Sequence, residues 1–101
     1  MAILTDNEAA AALNYMAGDE MPPKVTGIIL PAVDAFIKSA TGKDWGKITD
    51  SYKTIDPIAK MAASMLLVKW FEDSNEMGKA GIGVIGLIGQ LQAKALLEKT
   101  T

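Results

Sequence analysis

Apolar residues recur at three- and four-residue steps in four stretches of this chain, the spacing of one face of an α-helix. The first stretch opens on Thr5-Asp-Asn-Glu8, a capping box with Thr5 as N-cap and Glu8 at N3. The Ala-rich run behind it favours helix, which the sequence ends near Met16 with Gly18 as the stop. Its large apolar residues are few (Leu13, Tyr15, Met16), so it should pack by one edge. The second stretch starts at Pro22-Pro23, suited to a first turn, and continues through Val25, Ile28, Ile29, Val33, Phe36, Ile37 and Ala40 to Gly42, a left-handed C-cap. Pro31 lies inside it and should bend or divide the helix, because it removes one backbone hydrogen bond.

The third stretch begins with Asp56 as N-cap and Pro57 at N1 and runs to about Asp73. Ile58, Met61, Ala62, Met65, Leu66, Val68, Trp70 and Phe71 cover most of its circumference, as in a helix central to a core or shared with a partner. Met61 and Met65, one turn apart, read as core filler. Trp70 and Phe71 point about 100° apart, which sends one toward the core and offers the other to a neighbour. The fourth helix is predicted to start between Gly83 and Gly86 and to end near Glu98, with Val84, Leu87, Ile88, Leu91 and Ala95 as its apolar stripe. Gly83, Gly86 and Gly89 recur along one side. Each interior glycine costs roughly 1 kcal/mol against alanine, so the row implies close approach by another element, or a start that is not helical in the free chain. Residues 43–55 and 74–82 lack helical periodicity. Together these elements predict an all-α fold, a small bundle of about four helices with a long loop between helices two and three.

At 101 residues the chain makes one domain, residues 1–101, with one modest core. It contains no Cys, no His and no Arg. Disulfides, thiolate metal sites and Ser-His-Asp chemistry are thereby excluded within one chain, as is the planar fork that reads guanine. Net charge is −2, unlike a sequence-specific DNA binder. The charge is uneven: residues 1–23 carry four acids and no Lys, residues 24–71 seven Lys and four acids, residues 72–101 four acids and three Lys. Scattered solubilising charge explains this most simply; a bipolar subunit would pair head-to-side with its copies. The N-terminal residues carry Asp6 and Glu8 where a secretory signal has Lys or Arg. The most apolar stretch, Ala80 to Leu91, is shorter than the ~20 residues a membrane span needs. The expectation is a soluble protein made in a cytoplasm.

Three motifs point to chemistry, each with a plainer explanation. The loop holds Trp45 and Tyr52 among Lys43, Lys47 and Lys53, a pattern able to stack on and attract nucleic acid; the favoured reading folds Trp45 onto the core and leaves the Lys solvated. Gly81-Ile-Gly83-Val-Ile-Gly86 matches the dinucleotide pattern G-x-G-x-x-G, but no strand precedes it and no ribose-binding acid follows at ~20 residues. Glu72, Asp73 and Glu76 cluster at the end of the third helix without the six oxygens or the loop a calcium site uses. No catalytic residue, metal or cofactor is expected.

Three patches resemble the small phage head–tail connector (adaptor) family with the Gln-Leu-Arg-Gly-type signature. They are Phe36-Ile-Lys-Ser-Ala-Thr-Gly-Lys43, like that family's helix closing on a Thr-Gly-basic turn; Val68-Lys-Trp70-Phe71-Glu72-Asp73, like its aromatic, acid-rich helix end; and Ile85-Gly-Leu-Ile-Gly-Gln90-Leu91, like its signature helix. Gln92-Ala93 stands where the family often has Arg-Gly. The likeness follows the order of elements over roughly residues 22–95. It implies a non-enzymatic structural adaptor of a phage or prophage particle. Its copies would form a ring, dodecameric on the particle, in the virion neck. The portal protein would lie on one side and a tail or stopper protein on the other, with double-stranded DNA passing through non-specifically and no membrane involved. In such a ring the subunit interface is expected at Trp70, Phe71, Glu72, Asp73, Lys43 and Trp45, and the portal or partner contact within Gly81 to Leu97, at Gly83, Val84, Gly86, Leu87, Gln90, Leu91 and Lys94. The alternative is a monomeric helical module that binds a partner helix in a groove.

Overall fold

The computed structural model describes residues 3–15, 21–46 and 55–100. Four α-helices and no strand occur among them: α1 (Asp6–Ala12), α2 (Leu30–Thr41), α3 (Pro57–Glu72) and α4 (Ile82–Thr100). The all-α bundle expected from the apolar spacing is the observed fold. Residues 47–54, where the loop was read, lie outside the described residues, as do Met16 and Gly18.

α1 begins at the capping box. The Glu8 N–H donates to Thr5 Oγ1 at 3.1 Å and the Thr5 N–H donates back to Glu8 Oε1 at 2.9 Å. The helix stops at Ala12, earlier than the predicted Met16. Asn14 supplies the left-handed residue (φ 64°), and the paired bonds Tyr15 N–H to Ala10 C=O and Asn14 N–H to Ala11 C=O close a Schellman turn. Asn substitutes for glycine there because its short polar side chain tolerates that region.

The segment before α2 is divided, as Pro31 requires. Val25–Ile29 form a π-helical turn, with the Leu30 N–H reaching back to the Val25 carbonyl. α2 proper starts at Leu30, so Pro31 falls in its first turn, where a missing N–H costs least. Gly42 ends α2 in the left-handed conformation (φ 79°), its N–H on the Lys38 carbonyl at 2.8 Å. Just beyond, Trp45 folds back into the core as the plainer reading expected. Its Nε1–H donates to Thr41 Oγ1 at 2.8 Å, and that hydroxyl donates to the Ile37 carbonyl at 2.7 Å. A buried indole N–H and a buried hydroxyl thus satisfy each other.

α3 is the central element. It touches α1, α2, α4 and the π-helical turn. Ala59, Ala62 and Ala63 let the neighbours approach its N-terminal half, and Leu66, Leu67 and Trp70 fill the space where they diverge; all six are buried. Trp70 is 1 % exposed, meets the Phe36 ring edge-on at 5.5 Å between centroids, and donates Nε1–H to the Lys79 carbonyl at 2.9 Å. One residue on, Phe71 is half-buried beneath Tyr15, edge-on at 6.4 Å, with the Lys24 ammonium 5.2 Å from its centroid.

A 3₁₀ turn (Ser74–Glu76) and Gly78, left-handed at φ 84°, lead into α4. This helix starts one residue before the predicted window and continues to Thr100. Val84, Ile88, Leu91 and Ala95 are its buried side, with Leu87 half-buried. Two polar contacts pin it in register: Gln92 Nε2 to the Ala40 carbonyl at 2.8 Å and Lys94 Nζ to Asp56 Oδ2 at 2.8 Å.

Candidate functional site: the outer faces of α3 and α4

The unusual surface of this protein is apolar. Met61 and Met65 are 55 % and 42 % exposed on the outer side of α3. This corrects their assignment as core filler: a helix apolar all round has more greasy surface than three neighbouring helices cover, and the methionines are what remains outside. On α4, Ile82, Ile85 and Leu96 are 91 %, 58 % and 64 % exposed. At 100° per residue, Ile82, Ile85, Gly86, Gly89, Ala93 and Leu96 share one side, about 140° from Val84, Ile88, Leu91 and Ala95. α4 therefore has two opposite apolar faces, only one of them in the core, and the outer one carries no charge from Ile82 to Leu96.

The glycine row differs from expectation in the same way. A side chain at Gly83 would meet only the mobile tip of Met65, with Cε at 3.2 Å, and one at Gly86 or Gly89 would meet nothing within 4 Å. Nothing approaches Gly86 or Gly89 in the single chain, and the helix is continuous through them. They leave a flat, open waist on the outer face of α4, bordered at Gly83 by Met65.

Beside it, an open groove of about 570 Å³ runs along α3 from Ser64 to Asp73, with Ala12 at the end of α1 as its far wall. Its floor is Met65 and Val68; Lys69, Glu72 and Asp73 rim one end. Two of the rim charges are engaged locally. Lys69 Nζ lies 4.0 Å from Glu76, and Asp73 Oδ1 accepts the Asn75 N–H at 3.0 Å. No group of acids able to hold a metal occurs among the described residues.

The residues expected at an interface fall into two sets. Trp70 and Trp45 are enclosed, which removes them from any surface in this fold, while Phe71 is half-buried and Glu72, Asp73 and Lys43 lie at or near the outside. Lys43 places its ammonium 4.3 Å from the Trp45 ring centre. Among the residues expected to meet a portal, Val84 and Leu91 are buried, Leu87 is half-buried, and Gly83, Gly86, Gln90 and Lys94 are exposed. Ile82, Ile85 and Leu96 were missed. The signal that finds them is the second stripe, which appears when every apolar position of α4 is placed on the helix wheel rather than the best single face.

Asp56 ties this region to the core. It caps α3 through Ile58 N–H at 2.8 Å while pairing with Lys94 on α4, and its side chain is only 9 % exposed. Burial acts to raise its carboxyl. The hydrogen bonds from Lys94 and from the Ile58 and Ala59 backbone outweigh burial and hold it below the usual carboxylate range. The folded-state value is therefore depressed, so the stabilisation is fully present above the unfolded value of about 4 and is lost as pH falls through the lower folded value. Asp34 has the opposite sign: burial raises it, the Ile3 N–H lowers it and Asp44 raises it, so its effect is lost as pH rises through the carboxylate range. The Asp56 part is isolated by Asp56→Asn, which keeps the cap and discharges the pair. The variant should lose on the order of 1 kcal/mol above pH 5, and the gap should close toward pH 2; denaturant titrations at pH 2, 4 and 7 measure it. A gap independent of pH would rule out the pairing.

Among the described residues, no helix is long and apolar enough to cross a membrane. No family model, no curated protein and no solved structure matches this chain.

Proposed function

We propose that this protein is a structural adaptor of a tailed phage or prophage particle, whose copies form a ring under the portal and extend the DNA channel from head to tail. The observation that carries the reading is the double-faced α4, continuous at Gly83 with the exposed Met61 and Met65 of α3. Isolated monomers rarely expose contiguous apolar surface of this extent without a partner for it. An adaptor in a ring needs separate surfaces for its neighbours and for the portal, and the α3 groove and the α4 face are two such surfaces with different shapes. The sequence likeness to the head–tail connectors supplies the biological setting. In that setting the exposed residues Gly86, Gln90 and Ile85 meet the portal, while Phe71, Glu72 and Asp73 lie toward the neighbouring copy.

The test mixes the purified chain with the portal ring encoded in the same genome and images the product. Particles with a second ring of density stacked on the portal support the reading; no association at micromolar concentrations overturns it. The α3 groove favours one other reading, a module that holds a partner's amphipathic helix. One-to-one complexes and no ring would select it.

A further inference from the structure

The outer face of α4 has a chemistry that fits itself. We propose that two free copies of this chain pair through it, their α4 helices antiparallel and crossing at Gly89. The inference goes beyond the adaptor reading and does not depend on it.

The first argument is area. Ile82, Ile85 and Leu96, with Gly86, Gly89 and Ala93 between them, present roughly 500 Å² of exposed surface, so the six positions of two copies can contribute at most about 1,000 Å², the size at which specific interfaces begin. The face is apolar throughout and carries no charge. It therefore buries no unpaired ion and meets no like-charge repulsion when it faces its own copy.

The second argument is shape. A two-fold axis through Gly89 brings Ile82 of one copy beside Leu96 of the other and seats Ile85 over Ala93. At the axis, Gly89 meets Gly89. There and at Gly86 the surface is open, with nothing within 4 Å of a Cβ position, so the backbones are free to approach. Large side chains end the contact on both sides and small ones form its waist.

The third argument is orientation. Glu72, Asp73 and Glu76 gather near the start of α4. A parallel pair brings those two acidic clusters side by side, and an antiparallel pair keeps them at opposite ends. Opposed helix dipoles also attract rather than repel. The contact is isologous: it closes at two copies and does not propagate.

Sedimentation over a range of concentrations tests the pair. The mass should move from the 10.7 kDa of one chain to twice that value as concentration rises. Gly89→Glu places a carboxylate at the axis where there is open space in the single chain. It should keep the helical circular dichroism and shift the dimerisation midpoint upward by roughly tenfold or more. Cysteine variants read the geometry, since the chain has no cysteine of its own. Gly89→Cys should cross-link with itself, and Ile82→Cys should cross-link with Leu96→Cys when the two are mixed, but neither with itself. A 10.7 kDa species alone up to about 1 mM overturns the proposal, as does a dimer unchanged by Gly89→Glu, or cross-links of Ile82→Cys to itself and Leu96→Cys to itself. None of these readouts involves a portal, so failure of the adaptor reading leaves the test intact.

Discussion

Replacing Trp70 with alanine should remove a large share of the stability of this chain. A domain of this size is stable by roughly 5–15 kcal/mol, and emptying a large aromatic site costs about 3–5 kcal/mol. Trp70 is central to the packing. It sits on the helix that every other helix touches, packs edge-on against Phe36 of α2, and bonds the Lys79 carbonyl in the connector to α4. The cavity would thus open at the meeting point of three segments, where collapse is hardest. At about 4–8 °C per kcal/mol for a domain of this length, the melting temperature should fall by roughly 12–40 °C. Trp70→Phe keeps most of the volume and loses the N–H, so it should cost about 1–2 kcal/mol. Thermal melts followed by circular dichroism decide this; an alanine variant melting within a few degrees of the parent would mean the indole is not enclosed.

Leu91→Ala is the second large effect, expected to cost about 3–4 kcal/mol. Leu91 has no exposed surface and lies in the middle of the inner face of α4. Ile85→Ala, on the outer face, should change stability by less than about 0.5 kcal/mol, because its side chain is already in water. The contrast is sharper than either value, since both changes remove apolar carbon from the same helix. Limited proteolysis adds a spatial readout. With the inner face weakened, cleavage near Gly78 to Gly83 should precede cleavage within α3. Equal costs for the two variants would mean that the faces of α4 are assigned the wrong way round.

Much of this was legible because helix ends obey local chemistry. Thr5 with Glu8, Asp56 with Pro57, and Gly42 each announce a terminus through groups only a few residues apart, and each is found where it was read. Asn14 announces one too, but glycine at 18 gave the more familiar stop, and the Schellman turn closed first. Interior positions were harder. A helix apolar on all sides gives no phase, so nothing local separates Met61 and Met65 from Leu66 and Leu67; which pair is covered depends on where α1, α2 and α4 lie. The glycine row shows the same limit. The cost of glycine in a helix says that something compensates it, and in the single chain nothing packs on Gly86 or Gly89. Trp45 was read onto the core as an apolar side chain; the Thr41 hydroxyl that accepts its N–H was not foreseen, because Thr49 lies equally close along the chain.

The π-helical turn before Pro31 also sets the phase of the helix that follows. Continued as regular α-helix, Val25 and Ile37 would drift about 120° apart around the axis. The wider turn absorbs one residue more and returns Val25, Ile29, Val33 and Ile37 to a common bearing, and all four are buried. Such a turn accommodates one residue more than a regular helix without disturbing the helices on either side, because the proline that follows asks for no hydrogen bond across the junction.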